Sequence, residues 1–179
     1  MIRTRQYTAE LEVRDDGRTL IGIAVPYGTE AHIVEHRQRY VETFIPGAFA
    51  DAGTHPLTAT HPRDGAELPI GVSVELRDEA DGLHGAWHVS DTELGNEVVT
   101  LVRDGVPLGL SVGFVEGIDR WNREHTRVER VAASLDHVAV VRTPAYASAR
   151  VHAVRTAVGP PGSRVAVPRR LTLARLRER

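Results

Sequence analysis

The sequence predicts a single α+β domain in which strands dominate and pair as a mainly antiparallel, barrel-like sheet. Three observations lead there. Apolar and polar residues alternate through a series of short windows bounded by Gly, Pro, Asp and Asn. One window only, between two such runs, has apolar residues at helical spacing. The chain has 179 residues, 41% hydrophobic and 26% charged, which is enough for one real core, and it shows no internal repeat.

The elements follow in order. "YTAELEV" and "RTLIGIAV" alternate as strands, and "DDG" between them suits a hairpin turn. "AHIVEHRQRY" reads as loop. "FIPGAFADAG" reads as a loop leading into a short helix. "LTATH" is a short strand ending at His61, followed by Pro62 and a turn at "RDG". "IGVSVELRD" and "GLHGAWHVS" form the next hairpin across "DEADG". In "SDTELGNEVVTLVRDG" the apolar residues Leu94, Val98, Leu101 and Val102 make one face of a helix. Ser90 and Glu93 offer a capping box there, and Gly105 a C-terminal stop. Strands resume at "LGLSVGFVEGI", "HTRVERV" and "SLDHVAVV".

Composition excludes several classes. A net charge of −2 gives no global bias towards nucleic acid or membrane. The absence of cysteine removes disulfides, thiol nucleophiles and thiolate-bound metals. No apolar run approaches the roughly 18 residues of a membrane span, and "MIRTRQYTAELEV" has no apolar leader segment. All 22 basic residues are arginine. Charge is uneven, however. Residues 155–179 hold seven arginines against one glutamate, a net +6, which leaves −8 on residues 1–154. "TAVGPPGSRVAVPRR" is rich in Pro, Gly and Ser, so the expected organisation is a domain over 1–154 and a flexible basic tail over 155–179.

Gly109-Leu-Ser111-Val-Gly113 matches G-x-S-x-G, the nucleophile elbow of α/β-hydrolases. An elbow needs its serine on a sharp turn between a strand and a following helix. Here alternation continues through Ser111, with Leu108, Leu110, Val112 and Phe114 on one face and Gly109, Ser111 and Gly113 on the other. The predicted helix precedes the serine. What remains is a bare patch with a hydroxyl at its centre, which would suit a substrate chain lying across the strand. A serine nucleophile needs a base. Nine histidines are available. His84 and His88 share a strand face, and His32 and His36 lie in a loop-like stretch; both pairs suit a solvated surface. His61 ends a strand before a turn, where catalytic groups are commonly placed. His137 sits among apolar residues and needs a polar partner. No HExxH-type helix suggests a metal site, and no cofactor is expected.

Four segments together resemble the tailed-phage prohead proteases, capsid-maturation serine proteases related in fold to herpesvirus assemblin. They are "ETFIPGAFADA", "TATHPRDGAELPIGV", "DGLHGAWHVSDTELGNEVVTLVRDGVPLGLSVGF" and "LDHVAVVRTPAYASARV", in this order between about Tyr7 and Val154. The resemblance implies a β-barrel-like domain with surrounding helices. It puts Ser111 on the nucleophile, His61 on the general base and His137 on the third position, where the phage family commonly has an acidic residue and assemblin a histidine. Asp136 competes for that role. Strand alternation would turn Asp136 and His137 to opposite faces, so that only one faces Ser111. Arg142, after the His137 strand, is the candidate oxyanion donor.

The function so implied is processing of the major capsid protein or a scaffolding protein, and of the protease itself within residues 150–170. The setting is the assembling prohead in the bacterial cytoplasm, with no nucleic acid, membrane or metal involved and a homo-oligomer left open. The competing class is a catalytically inactive, protease-like assembly module.

Overall fold

The computed structural model describes residues 2–7, 11–13, 17–35, 38–50, 53–60 and 68–142. The tail beyond 142, and with it the expected domain boundary at 154, lies outside the described residues. Ten strands and one helix follow in chain order: β1 (Ile2–Tyr7), β2 (Glu12–Val13), β3 (Thr19–Pro26), β4 (Ala31–Glu35), β5 (Gln38–Phe44), β6 (Pro56–Thr58), β7 (Gly71–Glu79), β8 (Gly82–Val89), α1 (Glu93–Arg103), β9 (Gly109–Trp121) and β10 (Arg127–Val141).

All ten strands join one sheet in the order β1-β9-β10-β6-β7-β8-β3-β2, with β4 and β5 branching from β10. β3 also touches β9, although four strands separate them in that order, so the sheet curls into a half-barrel. Its neighbours are mostly antiparallel. β10 is the exception: it runs parallel to β5 through Arg127–Arg130 and parallel to β6 through Val138–Ala139, while β9 lies antiparallel along its other edge. The two runs "HTRVERV" and "SLDHVAVV" thus belong to one strand. Among the described residues α1 is the one α-helix, so the fold is mostly β. None of the described helices is long and apolar enough to cross a membrane.

The concave side is filled by Leu20, Phe44, Phe49, Leu57, Leu83, Trp87, Val89, Leu110, Val112, Phe114 and Val138, all nearly or fully buried. Phe44 stacks on Phe49, and Phe114 meets both edge-on, each ring centroid within 6.4 Å of the next. α1 covers this core with Val98, Val99 and Val102. The helix is rotated from the expected face, because Leu94 and Leu101 are exposed. Its N-cap is Thr92, whose hydroxyl accepts from Gly95 N at 3.1 Å. Ser90 lies too early to cap; its carbonyl accepts from Thr92 N and Arg18 instead. Gly105 ends the helix as expected, at φ +73°.

The β4–β5 hairpin replaces what reads as loop. The cause is Glu42, fully buried where an apolar residue would have shown the alternation of Tyr40 and Phe44. Glu42 is compensated by Arg5 and Arg130, both buried, with Arg130 Nε donating to it at 2.7 Å. Tyr40, Glu35, Glu116 and Asp119 extend the cluster. "PGAF" forms a turn whose Gly47 and Phe49 amides donate to Asp78, at 3.1 and 3.2 Å, rather than entering a helix.

Candidate active site

Ser111 lies in an unbroken strand, β9, with α1 before it and β10 after it, so it is not on a nucleophile elbow. Leu110, Val112 and Phe114 point into the core, which turns Ser111 and Gly113 to the convex face. Ser111 is fully buried there. Its hydroxyl donates to the Arg5 carbonyl at 2.7 Å. β1 brings that carbonyl alongside through the pairing of Arg5 with Val112 and Gln6 with Ser111. The Arg5 side chain turns the other way, into the ion cluster. Burial alone would lower the pKa of its guanidinium, but Glu42, with Tyr40 and Glu35, holds it above its usual value. The cluster therefore fixes β1, and β1 fixes the serine hydroxyl.

His137 pairs with Gly113, and Ala139 with Ser111. His137 is thus a diagonal neighbour of Ser111 on the same face, with Cα atoms roughly 7–8 Å apart in a regular sheet. The ring of His137 is buried and lies over Gly113: a Cβ on that glycine would come within 2.1 Å of Cε1. The bare patch beside Ser111 is therefore filled in part by this imidazole, not left open for a substrate chain.

Asp136 is where strand alternation misleads. The register of β10 against β9 shifts between Leu135 and His137, leaving Asp136 as an extra, bulged residue. Leu135 and Val138 both face the core, so Asp136 and His137 both fall on the convex side. The Asp136 carboxylate meets His137 Nδ1 at 2.8 Å. The two residues are bonded partners on one face, which corrects the expectation that only one could face Ser111. The Asp136 carbonyl, in turn, lies 3.3 Å from Nδ1 of His55, a residue that sequence reasoning passed over.

His61 lies outside the described residues. β6, which leads to it, ends at Thr58, and Thr58 pairs with Ala139, the partner of Ser111 on the opposite side of β10. Arg142 is exposed where β10 ends, three residues past Ala139. Of the other histidines, His84 donates from Nε2 to the Asp81 carboxylate at 2.9 Å near the β7–β8 turn, and His125 stacks on Trp121. Neither approaches Ser111 through any pairing of the sheet.

The sequence profile of the family described as Caudovirus prohead serine protease matches residues 6–160. Among solved structures, the fold is similar to the bacteriophage T4 capsid assembly protease gp21, with a TM-score of 0.53 and 11% sequence identity over 80% of this chain and 98% of that one. No curated protein matches the chain in sequence.

Proposed function

The chain belongs to the caudovirus prohead serine protease family, and from that premise we propose that it is a serine endopeptidase that processes capsid or scaffold protein, and itself, during prohead maturation. The observation that carries the reading is the shared convex face of β9 and β10, where Ser111 and His137 are diagonal neighbours and the strand leading to His61 flanks them. His61 takes the Ser111 hydroxyl proton as Oγ attacks a peptide carbonyl, then returns it to the leaving amine. His137 orients the His61 ring. Arg142, with five donors at the strand end, serves the tetrahedral oxyanion. The reading keeps the expectation of an assemblin-like barrel carrying further helices, acting within the prohead in the host cytoplasm.

One observation favours the alternative of an inactive assembly module. Ser111 is fully buried with its hydroxyl on the Arg5 carbonyl, and a nucleophile must leave that bond to react. A fluorophosphonate probe separates the two. A protease is labelled at Ser111, and labelling disappears in Ser111→Ala. Co-expression with the neighbouring capsid protein, followed by intact mass measurement, should show processing that Ser111→Ala abolishes and His61→Ala reduces as severely, since the hydroxyl is almost wholly un-ionised without its base. Processing by Ser111→Ala would overturn the assignment.

A further inference from the structure

We propose that His55 is a positioning residue for this reaction: its side chain supplies a hydrogen-bond donor that Pro56 cannot, clips the carbonyl of the bulged Asp136, and so fixes how β10 holds His137 beside Ser111. The inference rests on the reading of Ser111 as the nucleophile and of His137 as the imidazole that serves it.

The strand pairing shows which bond is missing. β6 runs parallel to β10, with Leu57 opposite Val138 and Thr58 opposite Ala139. The Leu57 carbonyl accepts from the Ile70 amide at 2.8 Å, so Leu57 turns its main-chain groups away from β10 and towards β7. Its neighbours at 56 and 58 therefore turn theirs towards β10. Carried one step back, this parallel ladder would run a bond from the amide of residue 56 to the carbonyl of Asp136. Residue 56 is proline and has no N–H to give. The missing donor thus falls opposite the bulge, whose extra residue also lacks a regular partner on β9.

His55 fills that place. Its Nδ1 lies 3.3 Å from the Asp136 carbonyl. A carbonyl oxygen only accepts, so Nδ1 carries the hydrogen. The residue is itself tied down on both sides of its Cα. Its amide donates to the Ser73 hydroxyl at 2.8 Å, and its carbonyl accepts from the Ser73 amide at 2.9 Å. Ser73 is buried in β7, and Nε2 of the His55 ring is buried as well. The clip therefore transmits the position of β7 to the bulge.

The consequence falls on His137. Burial of Leu135 and Val138 requires one extra residue between them, but does not set how the extra peptide is turned. The Asp136 carbonyl and the His137 amide belong to one planar unit. Holding the carbonyl fixes that plane, and with it the direction in which the His137 side chain leaves the strand towards its seat on Gly113, diagonal to Ser111.

The test uses the full chain, uniformly labelled with 13C and 15N, in the wild type, His55→Ala, His55→Asn and the double variant His55→Ala/Pro56→Ala. In His55→Ala the Asp136 carbonyl 13C signal should move upfield as its hydrogen bond is lost. The limiting rate of Ser111 labelling by fluorophosphonate should fall by up to about 100-fold, the effect of a small misplacement near the reacting atoms, with half-saturating probe concentration unchanged. His55→Asn should recover both, because its amide nitrogen stands as many bonds from Cα as Nδ1 does. The double variant should recover both by another route, since residue 56 then has an N–H for the same carbonyl. His55→Leu, which cannot donate, repeats the test should His55→Ala fail to fold. An unchanged carbonyl signal or rate on loss of the imidazole, or a loss that neither Asn nor the restored amide recovers, overturns the proposal. Failure of the wild type to label at Ser111 defeats the protease reading instead, and the carbonyl signals then decide whether His55 holds the bulge.

Discussion

Gly113→Ala is a one-methyl change with an outsized expected effect, and its size can be worked from the strand pairing. Gly113 has ordinary extended backbone, so alanine meets no conformational strain. Removing glycine from a strand should by itself stabilise by about 0.5–1 kcal/mol. The methyl, however, would lie 2.1 Å from Cε1 and 2.4 Å from Nδ1 of His137. No real contact is that short, and the paired strands cannot part, so the ring must swing out of its socket. That breaks the bond to Asp136, at a cost of about 1.5–3 kcal/mol for a hydrogen bond to a charged group. The net expectation is destabilisation by about 1–2 kcal/mol, with loss of Ser111 labelling as large as in His137→Ala. The two positions must then couple. In a His137→Ala background the socket is empty, and Gly113→Ala should be neutral or stabilising by up to about 1 kcal/mol. Urea unfolding of the four proteins measures the coupling, expected at roughly 2 kcal/mol. Equal effects of Gly113→Ala in both backgrounds, or full labelling activity in the single variant, would refute the account of His137 as a ring seated on glycine.

Other predictions follow from the ion cluster, the buried phenols and the tail. Glu42→Gln removes the fully buried carboxylate shared by Arg130 and Arg5 and leaves them only the more exposed Glu116, Asp119 and Glu35, so it should cost up to about 3 kcal/mol in urea unfolding. Burial, with hydrogen bonding to Glu35, pushes Tyr40 up to about 12, and burial raises Tyr27 as well. A phenol with a raised folded pKa gives full stability below its unfolded value near 10 and loses it as pH climbs towards the folded value. Stability should therefore fall between pH 10 and 12, by about 2–3 kcal/mol for Tyr40, and Tyr40→Phe should flatten that part of the curve. Autocleavage within residues 150–170 should give aged wild-type protein a shorter C-terminus than Ser111→Ala; identical intact masses in the two would exclude it.

What the sequence disclosed and what it hid have one physical origin. Alternation was legible wherever a strand face is apolar. β3, the β7–β8 hairpin and β9 were read nearly to the residue, and the inward set Leu110, Val112 and Phe114 assigned Ser111 to the opposite face. It failed where the inward residue is charged. Glu42 hid β5, because its compensation by Arg5 and Arg130 comes from strands 37 and 88 residues away. It failed again at Asp136, where a bulge breaks the period of two. Such bulges have no composition signal of their own, since any residue can be the extra one. Two clues were nonetheless present. The core phase set by Leu135 does not match the phase set by Val138 and Val140 under strict alternation, which requires one extra residue between them. And the glycine at 113, unfavourable in a strand interior, marks a close approach by another group. Both clues point to the same spot, across the strand from each other. The distortion and the missing side chain answer one need: to lay a buried imidazole flat on a sheet, two residues along from a serine, with a carboxylate at its edge. It is this local departure from regular sheet, more than any short motif, that marks out the face on which the proposed chemistry rests.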